Sequence, residues 1–271
     1  MQPRFPLPRL VRRAAALLAL AAWGCGRGVP GGAGDVTLTV SAAASLREVM
    51  TATAERYRAG HPGVRVRLNF GASGALRQQI EHGAAVDVFV SASEGQMDAL
   101  AKRGLVDARS RRILAGNELV LVVPAGVPPK VKGFAELASP TVGRVAVGAP
   151  GSVPAGEYAE ETFRSLGIAD AVARKTVYAQ NVRQVLTYVE SGNVDAGVVY
   201  RTDALASDRV RVVAPAPPGS HRPVVYPVAV VSASGHPREA QALVAYLTGP
   251  AGRAELLRRG FRVGASPAPR P

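Results

Sequence analysis

VTLTVSAAASLREVMTATAERYRAGHPGVRVRLNFGASGALRQQIEHGAAVDVFVSASEGQMDALAKRGLV, residues 36–106, switches repeatedly between two hydrophobic periods. VTLTV, VRVRLNF and VDVFVSA are short β-branched runs. SLREVMTATAERYRAG, SGALRQQIEHG and EGQMDALAKRGLV place apolar residues at helical spacing. The pattern is βαβαβα, which predicts a mostly parallel sheet with right-handed crossovers. Gly60, Gly83 and Gly104 fall near the three helix ends, where a left-handed C′ residue is expected.

After Asn117 the apolar strand ELVLVVPAG leads to a second set of elements. These are RVAVG, a helix from about Pro154 to Leu166, KTVYA, a helix from about Val182 to Ser191, and AGVVY. PVVYPVAVV then carries the chain back, and helices at about 237–247 and 250–259 complete the first set. The expected fold is α/β and two-lobed, each lobe a mostly parallel sheet flanked by helices. Residues 35–118 and 220–264 make lobe 1 and residues 119–219 lobe 2. Two crossover strands join the lobes as a hinge, and a hinged pair of lobes is a clamp.

The first 25 residues carry four arginines, no acids, and an apolar run from Ala14 to Trp23 that is short for a membrane span. They read as an export signal. Cys25, the chain's one cysteine, stands at the end of that run between Gly24 and Gly26, as in a lipoprotein signal, where the cysteine is lipidated and becomes the anchored N-terminus. Ordinary cleavage, with Cys25 discarded or left free, is the alternative. Residues 26–34 (GRGVPGGAG) suit a flexible tether. Without the signal the net charge falls from +13 to +9, and no disulfide framework is possible. The arginines are scattered and aromatics make up 5%, so the charge reads as a solvated surface, not a nucleic-acid face.

Four strand-to-helix junctions carry the candidate chemistry. In SAAASLRE, Ser45 is placed to cap a helix and Glu48 to complete a capping box. In NFGASGALRQQI, Ser73 stands between Gly71 and Gly74, which let backbone N–H groups approach a ligand. In VGAPGSVPAGEYAEE, Pro154 suits a first helical turn whose N–H groups, at Ala155 and Gly156, point outward. In AQNVRQVL, Asn181 is the expected cap and the N–H of Val182 is exposed. Tyr200 ends the strand AGVVY, where its hydroxyl either reaches the same space or is merely solvated.

In this order and spacing, SAAASL, FGASGAL, VDVFVSA, VPAGEYA, NVRQVL and GVVY resemble the periplasmic molybdate-binding receptors of ABC importers, from about Val36 to Phe261. The resemblance implies a type II periplasmic-binding-protein fold. It further implies capture of molybdate, and tungstate with it, by a monomer that delivers the ion to a membrane permease from the periplasmic or extracytoplasmic side, Cys25 being its lipid anchor. It places the oxyanion on the hydroxyls of Ser45, Ser73 and Tyr200 and on the backbone N–H groups of Ala155 and Val182. Molybdenum would be held only as the oxyanion, with no direct metal ligands and no cofactor.

None of the five positions supplies a carboxylate acceptor, so an anion that keeps a proton near neutral pH, such as phosphate, is disfavoured. A receptor for sulfate or another tetrahedral oxyanion would use the same residues, and cavity size would have to discriminate. His61, His82, His221 and His236 are too dispersed for a metal site. No Gly-x-Ser-x-Gly or Ser-x-x-Lys pattern surrounds either serine, so the chain does not read as an enzyme.

Overall fold

The computed structural model describes residues 35–264. The signal segment, Cys25 and the tether lie outside the described residues. The first lobe opens with β1 (Val36–Ala43), α1 (Arg47–Gly60), β2 (Val64–Gly71), α2 (Ser73–Glu81), β3 (Val88–Val90), α3 (Glu94–Lys102) and β4 (Arg112–Gly116). The chain then crosses to β5 (Leu119–Pro124), β6 (Val145–Gly148), α4 (Pro154–Ser165), α5 (Ala169–Ala173), β7 (Thr176–Ala179), α6 (Val182–Glu190), β8 (Ala196–Tyr200), α7 (Arg201–Leu205) and β9 (Val210–Pro215). It returns through β10 (Val225–Val230), α8 (Pro237–Thr248) and α9 (Pro250–Arg258).

Two five-stranded sheets result, ordered β2-β1-β3-β10-β4 and β7-β6-β8-β5-β9. Their plans are equivalent. In each, the βαβαβ part pairs in parallel, β1 with β2 and β3, β6 with β7 and β8. The fourth strand in each order is the first strand made after a crossing, and it runs antiparallel to both neighbours. The sheets are therefore mixed: the alternating βα pattern dictates the parallel half, and the re-entering strands supply the antiparallel half. β4 and β9, the outer partners of those strands, are not among the expected elements, although VRVVAP in β9 is a β-branched run.

β1 is wholly buried from Leu38 onward and β5 from Leu119 to Val123, as expected of strands covered on both faces. Edge strand β2 alternates instead, exposing Arg65 and Arg67. The crossings touch each other: Asn117 N–H donates to Val224 O (3.2 Å) and Ala216 N–H to Leu119 O (2.9 Å). Gly83 (φ 84°) and Gly104 (φ 66°) take the left-handed conformation at helix ends. Gly60 does not; it stays in the last turn of α1, and His61 (φ −137°) follows as the cap. Among the described residues no helix is long and apolar enough to cross a membrane.

Candidate functional site

The carboxyl ends of β1, β2, β3, β6, β7 and β8 face one another across the gap between lobes, and four helical starts follow them there. Ala155 and Val182 sit in the first turns of α4 and α6, where N–H groups have no carbonyl one turn back. Pro154 begins α4 and the Asn181 side chain caps α6 by accepting from Gln184 N–H (3.0 Å). Gly156 lets α4 start against β6, since a Cβ there would stand 2.0 Å from Gly148 O. Ser73 is the first residue of α2. Ser45 departs from its expected role: it lies in a 3-10 turn, Ala44–Leu46, and makes no cap, while Glu48 completes no capping box and pairs with Arg183.

These five residues, Ser45, Ser73, Ala155, Val182 and Tyr200, line one small cavity between the lobes, and every residue lining it is uncharged. The centre of a water-sized sphere can move through about 10 Å³ of it, about the room one water needs. The five are between 0 and 4% exposed, so the lobes must part for anything to enter. Larger surface clefts, such as one of about 180 Å³ beside Phe163 and Tyr178, differ in carrying charged side chains, here Glu160, Arg164 and Asp170.

Three hydroxyls face this space in different ways. Ser73 Oγ accepts from Ala92 N–H (2.9 Å), which leaves its proton free to donate. Ser45 Oγ lies 3.1 Å from Tyr226 Oη. Tyr200 Oη is buried and has no hydrogen-bond partner. Burial, reinforced by Tyr226, Tyr158 and Asp203, raises its pKa well above the ordinary phenol value, so it remains a donor. A buried hydroxyl without a partner is costly.

Contacts between the lobes surround the cavity. Gly74 N–H donates to Ser152 O (2.9 Å), so this amide joins the lobes and does not face the cavity. A Cβ on Gly74 would stand 2.7 Å from Ser152 Cα, and only glycine allows the approach. Tyr158 Oη donates to Ala92 O (3.2 Å) and Gln96 Nε2 to Glu157 Oε1 (3.0 Å). Of the two arginines adjacent in sequence to a cavity residue, Arg201 beside Tyr200 pairs with Glu118, and Arg183 beside Val182 does not line the cavity either. Arg183 bonds Glu48 of the facing lobe, and its Nε stands 2.8 Å from Asp203 Oδ1 without hydrogen-bond alignment. Sequence reading missed Arg183, Asp203, Asn117 and Tyr226, since no spacing announces pairs this remote along the chain.

Neither serine has a histidine beside it; His61 and His82 bond backbone carbonyls of their own helices. Among the described residues no cluster of potential metal ligands occurs.

A family model described as bacterial extracellular solute-binding protein matches residues 38–262. The "Putative ABC transporter substrate-binding lipoprotein YvgL" of Bacillus subtilis (strain 168) is 44% identical over 212 residues, 78% of this chain and 81% of its own. The molybdate-binding protein of Escherichia coli (strain K12) is 39% identical over 231 residues, 83% of this chain and 89% of its own. Among solved structures, the periplasmic molybdate-binding protein of Azotobacter vinelandii superposes with a TM-score of 0.74 at 24% identity, covering 84% of this chain and 100% of that one. At that identity the likeness carries the fold alone.

Proposed function

The chain belongs to the bacterial extracellular solute-binding proteins, and on that premise we propose that it captures molybdate, and tungstate with it, for an ABC permease. The observation that carries this reading is the convergence of Ser45, Ser73, Ala155, Val182 and Tyr200 on one cavity that holds donors and no charge. A tetrahedral dianion accepts hydrogen bonds on every oxygen, and helix starts offer both free N–H groups and a partial positive charge. Five donors at roughly 1.5–3 kcal/mol each give about 8–15 kcal/mol gross. Micromolar to nanomolar binding needs about 8–12 kcal/mol net, so closure and pre-organisation must offset desolvation of the ion.

The absence of a carboxylate among the lining residues favours fully ionised anions over phosphate. A receptor for sulfate, the smaller fully ionised tetrahedron, would use the same donors, so cavity size in the liganded state has to discriminate. Seating either anion requires lobes further apart than they stand here. Titration calorimetry with molybdate, tungstate, sulfate and phosphate separates the two; sulfate binding as tightly as molybdate would overturn the assignment.

In this reading the chain is a carrier, not an enzyme, and takes its ligand without a cofactor, as supported by the solute-binding family and the molybdate-binding relatives. Cys25 serves as the lipid anchor, supported by the lipoprotein signal pattern and by the Bacillus relative, itself named as a lipoprotein. A Cys25→Ala variant is then expected in the soluble fraction, and unchanged membrane fractionation would rule the anchor out.

A further inference from the structure

The polarity of the cavity wall has its source one layer behind it. Asn117 lies at the first crossing, between β4 and β5. Its Oδ1 accepts from Glu118 N–H (2.9 Å), which fixes the amide's orientation. Its Nδ2 then donates to Thr202 Oγ1 (2.9 Å) and to Tyr226 Oη (3.1 Å). An amide nitrogen can only donate, so Tyr226 Oη accepts from Asn117 and turns its single proton toward Ser45 Oγ, 3.1 Å away. Ser45 Oγ has no other hydrogen-bond partner, so its own proton is free to donate, and Ser45 lines both the interlobe cavity and a neighbouring cleft beside Glu48 and Thr202. All three side chains are buried, and burial raises the phenol's pKa, so Tyr226 keeps its proton.

We infer that Asn117 and Tyr226 are positioning residues that lock Ser45 as a hydrogen-bond donor and thereby select against oxyanions that carry a proton. Each bond in the chain Asn117, Tyr226, Ser45 polarises the next, which makes the last O–H a stronger donor than an isolated serine. An anion with no proton gains from this. A protonated oxyanion needs an acceptor opposite its own O–H, and with one Ser45 lone pair taken by Tyr226 the hydroxyl meets the anion chiefly through its proton. Without the Tyr226 hydroxyl, Ser45 is free to turn and present a lone pair.

The inference rests on the reading of Ser45 as an oxyanion ligand, and the test separates the two. The full chain, Tyr226→Phe, Ser45→Ala and the double variant are titrated near neutral pH with molybdate, and with inorganic phosphate by competition, after melting curves establish folding. Tyr226→Phe is expected to lower the molybdate-over-phosphate affinity ratio about tenfold, and to lower it no further in the Ser45→Ala background. Asn117→Leu, of similar shape, removes the first donor and is expected to move the ratio the same way if Tyr226→Phe fails to fold. An unchanged ratio, phosphate still failing to compete in the variant, or an equal effect without Ser45 overturns the inference. Loss of molybdate binding by the unmodified chain would instead overturn the functional reading.

Discussion

Tyr200 offers the cleanest single-residue probe. Its hydroxyl is buried without a partner, so Tyr200→Phe removes nothing the fold uses. Loss of a donor to a charged ligand costs about 1.5–3 kcal/mol; molybdate binding should weaken by roughly that amount while the ligand-free melting temperature holds or rises. A drop in ligand-free stability with unaltered affinity would show that the hydroxyl is structural. Ser73→Ala is a poorer probe, because it strips Ala92 N–H of its acceptor as well. The five candidate positions were legible because each sits in a short motif at a helix start or strand end. The chain behind Ser45 was not: Tyr226 in YPVAVV reads as a strand residue that packs its ring, and only the fold brings Asn117 beneath it.

At the scale of elements, α4 and α6 begin at the expected Pro154 and Val182, where proline at a first turn and an asparagine cap are local signals. The start of α1 was misjudged because a 3-10 turn, which no side-chain pattern marks, intervenes. The junction of α1, α6 and α7 was invisible, although it governs a pH response. Burial above all raises the Asp203 carboxyl to about 6; Glu48 adds to the rise, while Arg183 and the Tyr200 N–H oppose it. The folded chain therefore holds a proton that the unfolded chain, titrating near 3.8, has released. Stability from this group is present at low pH and is lost as pH rises through about 6. Asp203→Asn, always neutral, should lack that loss, so wild type should fall relative to the variant by on the order of 1–3 kcal/mol between about pH 4 and about pH 6, and run parallel to it above. Parallel stability curves for the two proteins would show that Asp203 titrates as an ordinary carboxylate.

For the molecule as a whole, the alternating periods made two α/β lobes legible, and the two crossing segments followed from where the second set of elements began and ended. The antiparallel half of each sheet was not legible, because strand direction depends on which sheet a returning segment joins, and that is settled by long-range packing. One of the long-range contacts between the lobes, Gly74 N–H to Ser152 O, gives a test of closure. Gly74→Ala places a methyl 2.7 Å from Ser152 Cα and should hold the lobes apart without disturbing either. Small-angle scattering should then show that molybdate contracts the parent protein and leaves the variant expanded and weakly binding. Equal contraction in both would mean that the Gly74 contact is not needed for closure.

The depth of the five proposed donors, none more than 4% exposed, also sets how a held ion leaves. A competitor in solution has no face of the occupied site to attack, so exchange cannot proceed by direct displacement. Adding excess tungstate should leave the departure rate of bound molybdate unchanged, because the clock for exit is the protein's own breathing, and only a partner that pulls the halves apart can make it run faster.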